Sequence, residues 1–366
     1  MTDAELELRI KTALPKNIVQ PRRSPVYVGF RCHQCCGFCY YRNRLHESMF
    51  SLPLIRQQVS YIFDYGITDV EITGGEPSEY PELRELCLMI RKEGMARGFI
   101  PRIAVITNGG LATRWSECGD LIDEVLLSYH SGRDPKDRKM FPRGSTWDMA
   151  ERMSDCANLG GKLLRTNTVL GKFNIQDWES ILEDIIRLSP RIANILPVNI
   201  FDGARAMEAE MDIPGQREMI RLAVDRLEKN GIEVFVRYFP FCGLEGCERN
   251  LVGHLQHIWD WFDWNRELDG VKVLDLSRRK ADLGKYGSTS ISAALRIRNA
   301  VNTKPSKCYL CKYWPICDGF EKTTNGNAAE FVKPVEGQYI YNPLQFLDQR
   351  SYRLYSRFVY NKSLLG

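Results

Sequence analysis

The segment VYVGFRCHQCCGFCYY, residues 26–41, joins an apolar β-branched run to a loop that contains four cysteines. Three of these cysteines have the spacing C-x3-C-x2-C: Cys32, Cys36 and Cys39. Three thiolates on one loop can hold a [4Fe–4S] cluster and leave one iron without a protein ligand, which is where a cofactor or substrate can bind. A zinc site is the alternative, and it would need a nearby fourth ligand such as His33 or Cys35. The segment therefore predicts a metal-binding loop directly after a strand.

Short β-branched runs alternate with segments of helical period from about residue 25 to residue 237, which indicates βα units around a parallel sheet. The predicted strands cover residues 26–30, 69–73, 102–107, 124–130, 163–170, 192–200 and 232–238. The predicted helices cover residues 54–66, 81–94, 146–160, 175–189 and 214–231. The predicted fold class is therefore α/β, a partial (β/α)6 TIM-like barrel, with its chemistry at the C-terminal ends of the strands.

The loop sequence RCHQCCGFCYY resembles the signature of the radical S-adenosylmethionine (SAM) enzymes. In that family the aromatic residue before the last cysteine, here Phe38, contacts the SAM adenine. The second predicted strand is followed by the sequence GGEP: Gly74, Gly75, Glu76 and Pro77. In that family the backbone of this turn receives the amino group of SAM, and glycines permit such a close approach. The two motifs, one βα unit apart, together imply a SAM site.

Polar residues on later strands resemble further contacts of this family. Ser128 is the first candidate for a SAM contact and Asn108 the second. Arg165 is a third candidate, because its strand resembles one in members that carry auxiliary clusters. His130 is either a proton donor or substrate contact or an interior structural histidine, and Cys35 is interpreted as a bystander.

The resemblance implies a mechanism in which the reduced cluster donates an electron to SAM, and the resulting 5′-deoxyadenosyl radical removes hydrogen from a substrate. The implied cofactors are a SAM-binding [4Fe–4S] cluster and SAM, and an electron donor such as flavodoxin or ferredoxin is an expected partner. The expected substrate is a peptide, amino acid or other small molecule. Modification of a nucleoside or nucleic acid is one alternative, and a non-catalytic iron–sulfur carrier or electron-transfer protein is another.

A second cysteine group lies near the C-terminal end of the chain, with the spacing C-x2-C-x5-C: Cys308, Cys311 and Cys317. It resembles the core of the SPASM and twitch extensions, which carry auxiliary clusters. Because Glu321 stands where a full SPASM region has its next cysteine, one auxiliary [4Fe–4S] cluster is expected. Cys242 is the preferred fourth ligand and Cys247 its rival, while a zinc site is the alternative.

The change of pattern near residue 239 predicts four parts of the chain: an N-terminal extension (1–24), the radical SAM barrel (25–237), a SPASM/twitch-like domain (238–330) and a tail that packs on the barrel (331–366). The chain has 12 cysteines and no export signal, which predicts a cytoplasmic protein with metal-bound thiols rather than disulfides. No membrane partner is expected. The formal net charge of +4 permits nucleic-acid binding without indicating it.

Overall fold

The computed structural model describes residues 1–14, 18–19, 23–39, 41–64, 67–198, 210–255, 291, 294–295, 298–299, 302–321, 328–346 and 359–360. Its strands are β1 (Ile18–Val19), β2 (Arg23–Tyr27), β3 (Asp69–Thr73), β4 (Arg102–Thr107), β5 (Glu124–Ser128), β6 (Leu163–Leu170), β7 (Ile192–Pro197), β8 (Glu233–Arg237), β9 (Leu251–Val252), β10 (Asn302–Thr303), β11 (Phe320–Glu321) and β12 (Val359–Tyr360). Its helices are α1 (Asp3–Ala13), α2 (Leu52–Asp64), α3 (Leu83–Met95), α4 (Trp115–Cys118), α5 (Trp147–Leu159), α6 (Trp178–Leu188), α7 (Ile213–Lys229) and α8 (Ala328–Phe331).

Strands β2 to β9 form one sheet in sequence order, and every neighbouring pair in it is parallel. Helices α2, α3, α5, α6 and α7 connect successive strands, and the main apolar core lies between them and the sheet. The sheet curls into a half-barrel, so the predicted α/β class and partial TIM-like barrel are confirmed. Among the described helices, none has the length and apolar character needed to cross a bilayer.

Most predicted strands occur, and β3, β4 and β6 have the predicted bounds. The predicted bounds of the first strand, 26–30, were wrong, because β2 begins at Arg23 and ends at Tyr27. Pro25 is tolerated inside β2 because this strand is at an edge of the described sheet, where one missing N–H costs no ladder bond. The strand ends before Gly29, whose φ of 123° is incompatible with continued pairing. Residues 199–200, predicted to end the seventh strand, lie outside the described residues.

Two features, strand β9 and helix α1, were not predicted from the sequence. The two-residue strand β9 extends the sheet beyond β8. Helix α1 lies in the predicted N-terminal extension and buries Leu6 and Ile10 in a second apolar cluster with Phe235 and Trp314. In the predicted tail, the described residue Val332 packs in the main core, whereas residues 347–358 and 361–366 lie outside the described part of the chain.

A group of buried charges lies on β2, β3, β5 and β6: Arg23, Glu71, Glu124 and Arg165. Arg23 Nη2 lies 2.5 Å from Glu124 Oε2, and Arg165 Nη2 lies 3.2 Å from Glu71 Oε1 and also contacts Glu124. Burial alone would raise the pKa of Glu124, but Arg165 and Arg23 outweigh it and lower the pKa to about 2. Both carboxylates therefore face cations in a part of the molecule that excludes water.

We predict that Glu124→Gln lowers the free energy of unfolding by about 3–5 kcal/mol, because it leaves buried guanidinium charge without its partner. A carboxylate with a lowered pKa stabilises the fold above its unfolded pKa, and that stabilisation is lost as the pH falls through about 2. The decrease in the free energy of unfolding caused by Glu124→Gln should therefore be the same throughout about pH 6 to 8, as measured by denaturant titration. Glu117→Gln breaks the exposed pair with Arg114 and should leave the free energy of unfolding nearly unchanged. An equally small loss for Glu124→Gln would contradict this account.

Candidate functional site

The GGEP turn after β3 lies directly against the chain that leaves β2. Gly75 N donates to Gly29 O at 2.9 Å, and Glu76 N donates to Arg31 O at 2.8 Å. A Cβ atom on Gly74 would lie 2.0 Å from Gly29 O, and one on Gly75 would lie 1.8 Å from Arg31 O. Because backbone atoms cannot yield at such distances, both positions require glycine. The turn therefore fixes the start of the cysteine loop.

Glu76 connects this turn to the end of β4. Its buried carboxylate accepts hydrogen bonds from Thr107 Oγ1 at 2.7 Å, Asn108 N at 2.7 Å and Ser78 N at 3.1 Å. Burial raises the pKa of Glu76, although these hydrogen bonds oppose the shift. The Asn108 side chain places its Nδ2 4.0 Å from Cys32 Sγ. One carboxylate thus holds the predicted SAM contact Asn108 beside the first cysteine.

The other side of the cysteine loop is held by residues 134–146, which follow β5. Gly37 N donates to Met140 O at 2.8 Å, and Gln34 Nε2 donates to Gly144 O at 3.0 Å. A Cβ atom on Gly37 would lie 2.8 Å from Lys139 O. The loop is therefore fixed on two sides, by the GGEP turn and by this segment.

Both candidates for a fourth ligand on the loop have other partners. His33 Nδ1 lies 2.5 Å from Glu79 Oε1, and the same carboxylate oxygen accepts His33 N at 2.8 Å. Cys35 adopts a left-handed backbone with φ of 53°, and its Sγ donates to Cys32 O at 3.5 Å. These contacts favour three protein ligands over four.

The thiols of the loop are in an environment that opposes their ionisation. Burial raises the pKa of Cys32 to about 12 and also raises the pKa values of Cys36 and Cys39. Negative charge on Cys39 or Cys32 would raise the pKa of Cys36 further. Only a strongly cationic group would convert all three to thiolates at neutral pH, so this set of donors fits an iron–sulfur cluster.

Phe38 packs in an aromatic pocket that was not predicted from the sequence. Its ring stacks on Phe173 with 4.9 Å between centroids, and it meets the edge of His130 at 5.1 Å. Phe141 closes the same group. His130 Nδ1 accepts from Val169 N at 3.1 Å, and burial lowers the pKa of this histidine to about 4, so the ring is neutral near pH 7. Its predicted role as a proton donor stays a prediction, as does the contact of Phe38 with adenine.

Two further predicted SAM contacts lie on neighbouring strands. Ser128 ends β5 and is paired in register with Asn167 of β6. Arg165 also belongs to β6, but its guanidinium is engaged in the buried charge group with Glu71 and Glu124. The ion pairs give Arg165 a structural role, and its contact with SAM stays a prediction.

The second cysteine group lines one small pocket. Four cysteines are among its lining residues: Cys242, Cys308, Cys311 and Cys317. Burial raises the pKa of Cys242 to about 12, and negative charge on Cys317 would raise it further. Cys247 does not line the pocket and packs in the main apolar core. The structure thus brings together Cys242 and the C-x2-C-x5-C set and separates Cys247 from them.

Comparison with known proteins identifies the domain that carries the first group. Residues 26–185 match the model of the radical SAM superfamily. Residues 26–185 therefore form a radical SAM domain. This domain and the enzymes among the relatives support an enzyme, and the family implies a [4Fe–4S] cluster and SAM as cofactors.

Relatives of this chain are distant. It is 24% identical over 162 residues to the S-adenosylmethionine-dependent nucleotide dehydratase of Thermoplasmatales archaeon (strain ISO4-H5), covering 43% of this chain and 54% of that one. It is 24% identical over 220 residues to a probable GTP 3′,8-cyclase of Sulfurisphaera tokodaii, covering 57% of this chain and 66% of that one. The match thus spans about half to two thirds of these curated relatives.

The fold is also shared with a solved structure of native anSMEcpe with bound AdoMet and Cp18Cys peptide. The similarity has a TM-score of 0.53 at 14% identity and covers 92% of this chain and 97% of that one. At this identity it shows a common fold.

We predict that Gly75→Ala in this radical SAM domain impairs both SAM binding and cluster retention, because the new Cβ would displace Arg31 and with it the cysteine loop. Iron bound after anaerobic reconstitution should fall by about four per chain. Gly231→Ala is the matched control, since Gly231 has φ of 78° but nothing within 4 Å of the added Cβ. Gly231→Ala should lower the free energy of unfolding and leave the iron content unchanged. Normal iron in folded Gly75→Ala would contradict the coupling of turn and loop.

Proposed function

We propose that this chain cleaves SAM reductively at a [4Fe–4S] cluster held by Cys32, Cys36 and Cys39. The observation that carries the proposal is the pair of backbone hydrogen bonds that join the GGEP turn to the cysteine loop at the C-terminal ends of β2 and β3. That edge of the sheet is where barrel enzymes place their chemistry. The radical SAM domain and the absence of a free fourth ligand among the described loop residues support the same function.

Different residues around the loop contact different parts of the cofactors in this proposal. The turn formed by Gly74, Gly75, Glu76 and Pro77 presents backbone to the amino group of SAM, Asn108 and Ser128 offer polar contacts, and Phe38 lies toward the adenine. Arg165 is a further candidate contact. When bound, the cluster supplies the electron for SAM cleavage, which gives a 5′-deoxyadenosyl radical that abstracts hydrogen from the substrate. The enclosing strands keep water and other hydrogen donors away from that radical.

The substrate of first choice is a peptide, an amino acid or another small molecule. The solved structure of similar fold that holds a peptide is compatible with this choice. A nucleotide substrate is the second candidate, because curated relatives are named as a nucleotide dehydratase and GTP 3′,8-cyclases. The two substrate classes can be distinguished by adding either nucleoside triphosphates or peptides and measuring 5′-deoxyadenosine. The class that contains the substrate should stimulate its formation. A non-catalytic carrier would have no use for a turn that binds an amino group, so this class is less favoured.

A second [4Fe–4S] cluster in the C-terminal pocket completes the proposal. Four thiols can ligate all four irons, which would leave no open position for substrate and favours electron transfer. The proposed SPASM/twitch-like domain spans residues 238–330 beside the barrel of residues 25–237. An electron donor such as flavodoxin or ferredoxin would reduce the SAM-binding cluster. A cytoplasmic location, where thiols stay reduced, is part of the proposal.

Replacing Cys32, Cys36 and Cys39 together by Ala should lower the iron content from about eight to about four per chain after anaerobic reconstitution. It should also abolish 5′-deoxyadenosine formation from SAM and a chemical reductant, measured by liquid chromatography. Cys156→Ala removes a thiol on α5 that belongs to neither group and should leave both quantities unchanged. Continued SAM cleavage by the triple variant would show that the cluster assignment is wrong.

Cys242→Ala should alter or abolish the electron paramagnetic resonance signal of the second cluster, because that thiol lines the pocket with the three other cysteines. Cys247→Ala should keep the signal and the full iron content. Cys247 is buried and Cys242 is half-buried, so neither variant removes an exposed thiol, and only Cys242 lines the pocket. If only Cys247→Ala disturbs the second cluster, the proposed ligand set is wrong.

A further inference from the structure

One cation lies in the second cysteine pocket. The side chain of Lys304 lines the pocket together with Cys242, Cys308, Cys311 and Cys317. Its Nζ donates to Trp314 O at 2.6 Å and lies 5.4 Å from the centroid of the Trp314 ring. These contacts hold a flexible side chain at the pocket instead of in solvent.

The surroundings of Lys304 provide little compensating negative charge. Among the described residues, no carboxylate lies within ion-pair distance of it. The nearby carboxylate of Asp318 accepts from Leu255 N at 3.1 Å and lies 3.8 Å from His254 Nδ1. The buried guanidinium of Arg298 adds further positive charge and donates to Pro315 O at 3.0 Å. An anion placed beside this half-buried ammonium would stabilise it, because no carboxylate of the described residues pairs with it.

A cluster ligated by four thiolates would be that anion. It carries a net negative charge, and the charge becomes more negative when the cluster accepts an electron. A fixed cation beside it stabilises the reduced form more than the oxidised form, which raises the reduction potential. The effect is larger for a half-buried cation such as Lys304 than for an exposed one, because salt screens a partly buried charge less.

We propose that Lys304 is the charge partner of the second cluster and raises its reduction potential. The inference rests on the proposed second cluster. It adds that this cluster accepts an electron, since a raised reduction potential favours the reduced form. The other reading of the same contacts is that Lys304 only caps the carbonyl of Trp314. If Lys304 is the charge partner, removal of its charge lowers the reduction potential of the cluster. If it only caps the carbonyl of Trp314, removal of the charge leaves that potential unchanged.

The test compares Lys304→Met, which keeps the length and removes the charge, with Lys304→Arg, which keeps the charge. Both are made in the full chain that carries Ala at positions 32, 36 and 39, so that only the second cluster contributes a signal. An anaerobic redox titration followed by electron paramagnetic resonance gives the midpoint potential. Lys307→Met is the matched control, because it removes an exposed lysine three residues away.

The expected result for Lys304→Met is at least about a tenfold fall in the ratio of reduced to oxidised cluster at fixed potential, which is about 59 mV for one electron. Lys304→Arg and Lys307→Met should stay near the parent value. Loss of the cluster in Lys304→Met with retention in Lys304→Arg also supports a charge role. An unchanged potential in Lys304→Met, an equal shift in Lys307→Met, or loss of the cluster in both Lys304 variants overturns the proposal. If the parent chain itself takes up no second cluster, the proposed function is wrong in that part and the inference falls with it.

Discussion

The contact between the GGEP turn and the chain leaving β2 is the constraint on which the first site depends. Two backbone segments meet so closely that Cβ atoms on Gly74 or Gly75 would overlap the carbonyl groups of Gly29 and Arg31. The approach sets the direction in which the chain enters the cysteine loop. Glu76 extends it to a third strand, because its carboxylate binds the end of β4 through Thr107 and Asn108. The ends of three consecutive strands therefore behave as one unit, and a change in the turn is transmitted to the thiols.

The distribution of charge separates a stabilising part of the sheet from its reactive edge. The ion pairs of Arg23, Glu71, Glu124 and Arg165 are satisfied within the protein and are costly to disturb. The cysteine groups differ, because their buried thiols have raised pKa values and become stable ligands only when a cationic group is bound. The proposed chemistry thus couples metal loading to the local fold, and Lys304 would supply at the second pocket the positive charge that an anionic cluster requires.

The sequence could predict features, such as strand bounds, that depend on the pattern of neighbouring residues. The β-branched runs at 69–73, 102–107 and 163–170 are bounded by clear turn residues, and their strands have the predicted bounds. It failed at the first strand, which begins at Arg23 and contains Pro25, because an edge position tolerates proline. It also missed the hydrogen bonds of Glu76 with Thr107 and Asn108 and the aromatic pocket of Phe141 and Phe173, since these contacts join residues distant in sequence. The ion pairs of Arg165 were hidden for the same reason, because a pattern within one strand carries no information about the charges on its neighbours.

A crystal structure of the anaerobically reconstituted protein with SAM would test the central claim most directly. The account predicts a four-iron cluster with the sulfurs of Cys32, Cys36 and Cys39 on three irons. The amino and carboxylate groups of SAM should occupy the fourth iron, with the amino group against the backbone of the GGEP turn. A fourth protein ligand such as His33 or Cys35 on the cluster, or SAM bound away from the C-terminal ends of β2 and β3, would contradict it.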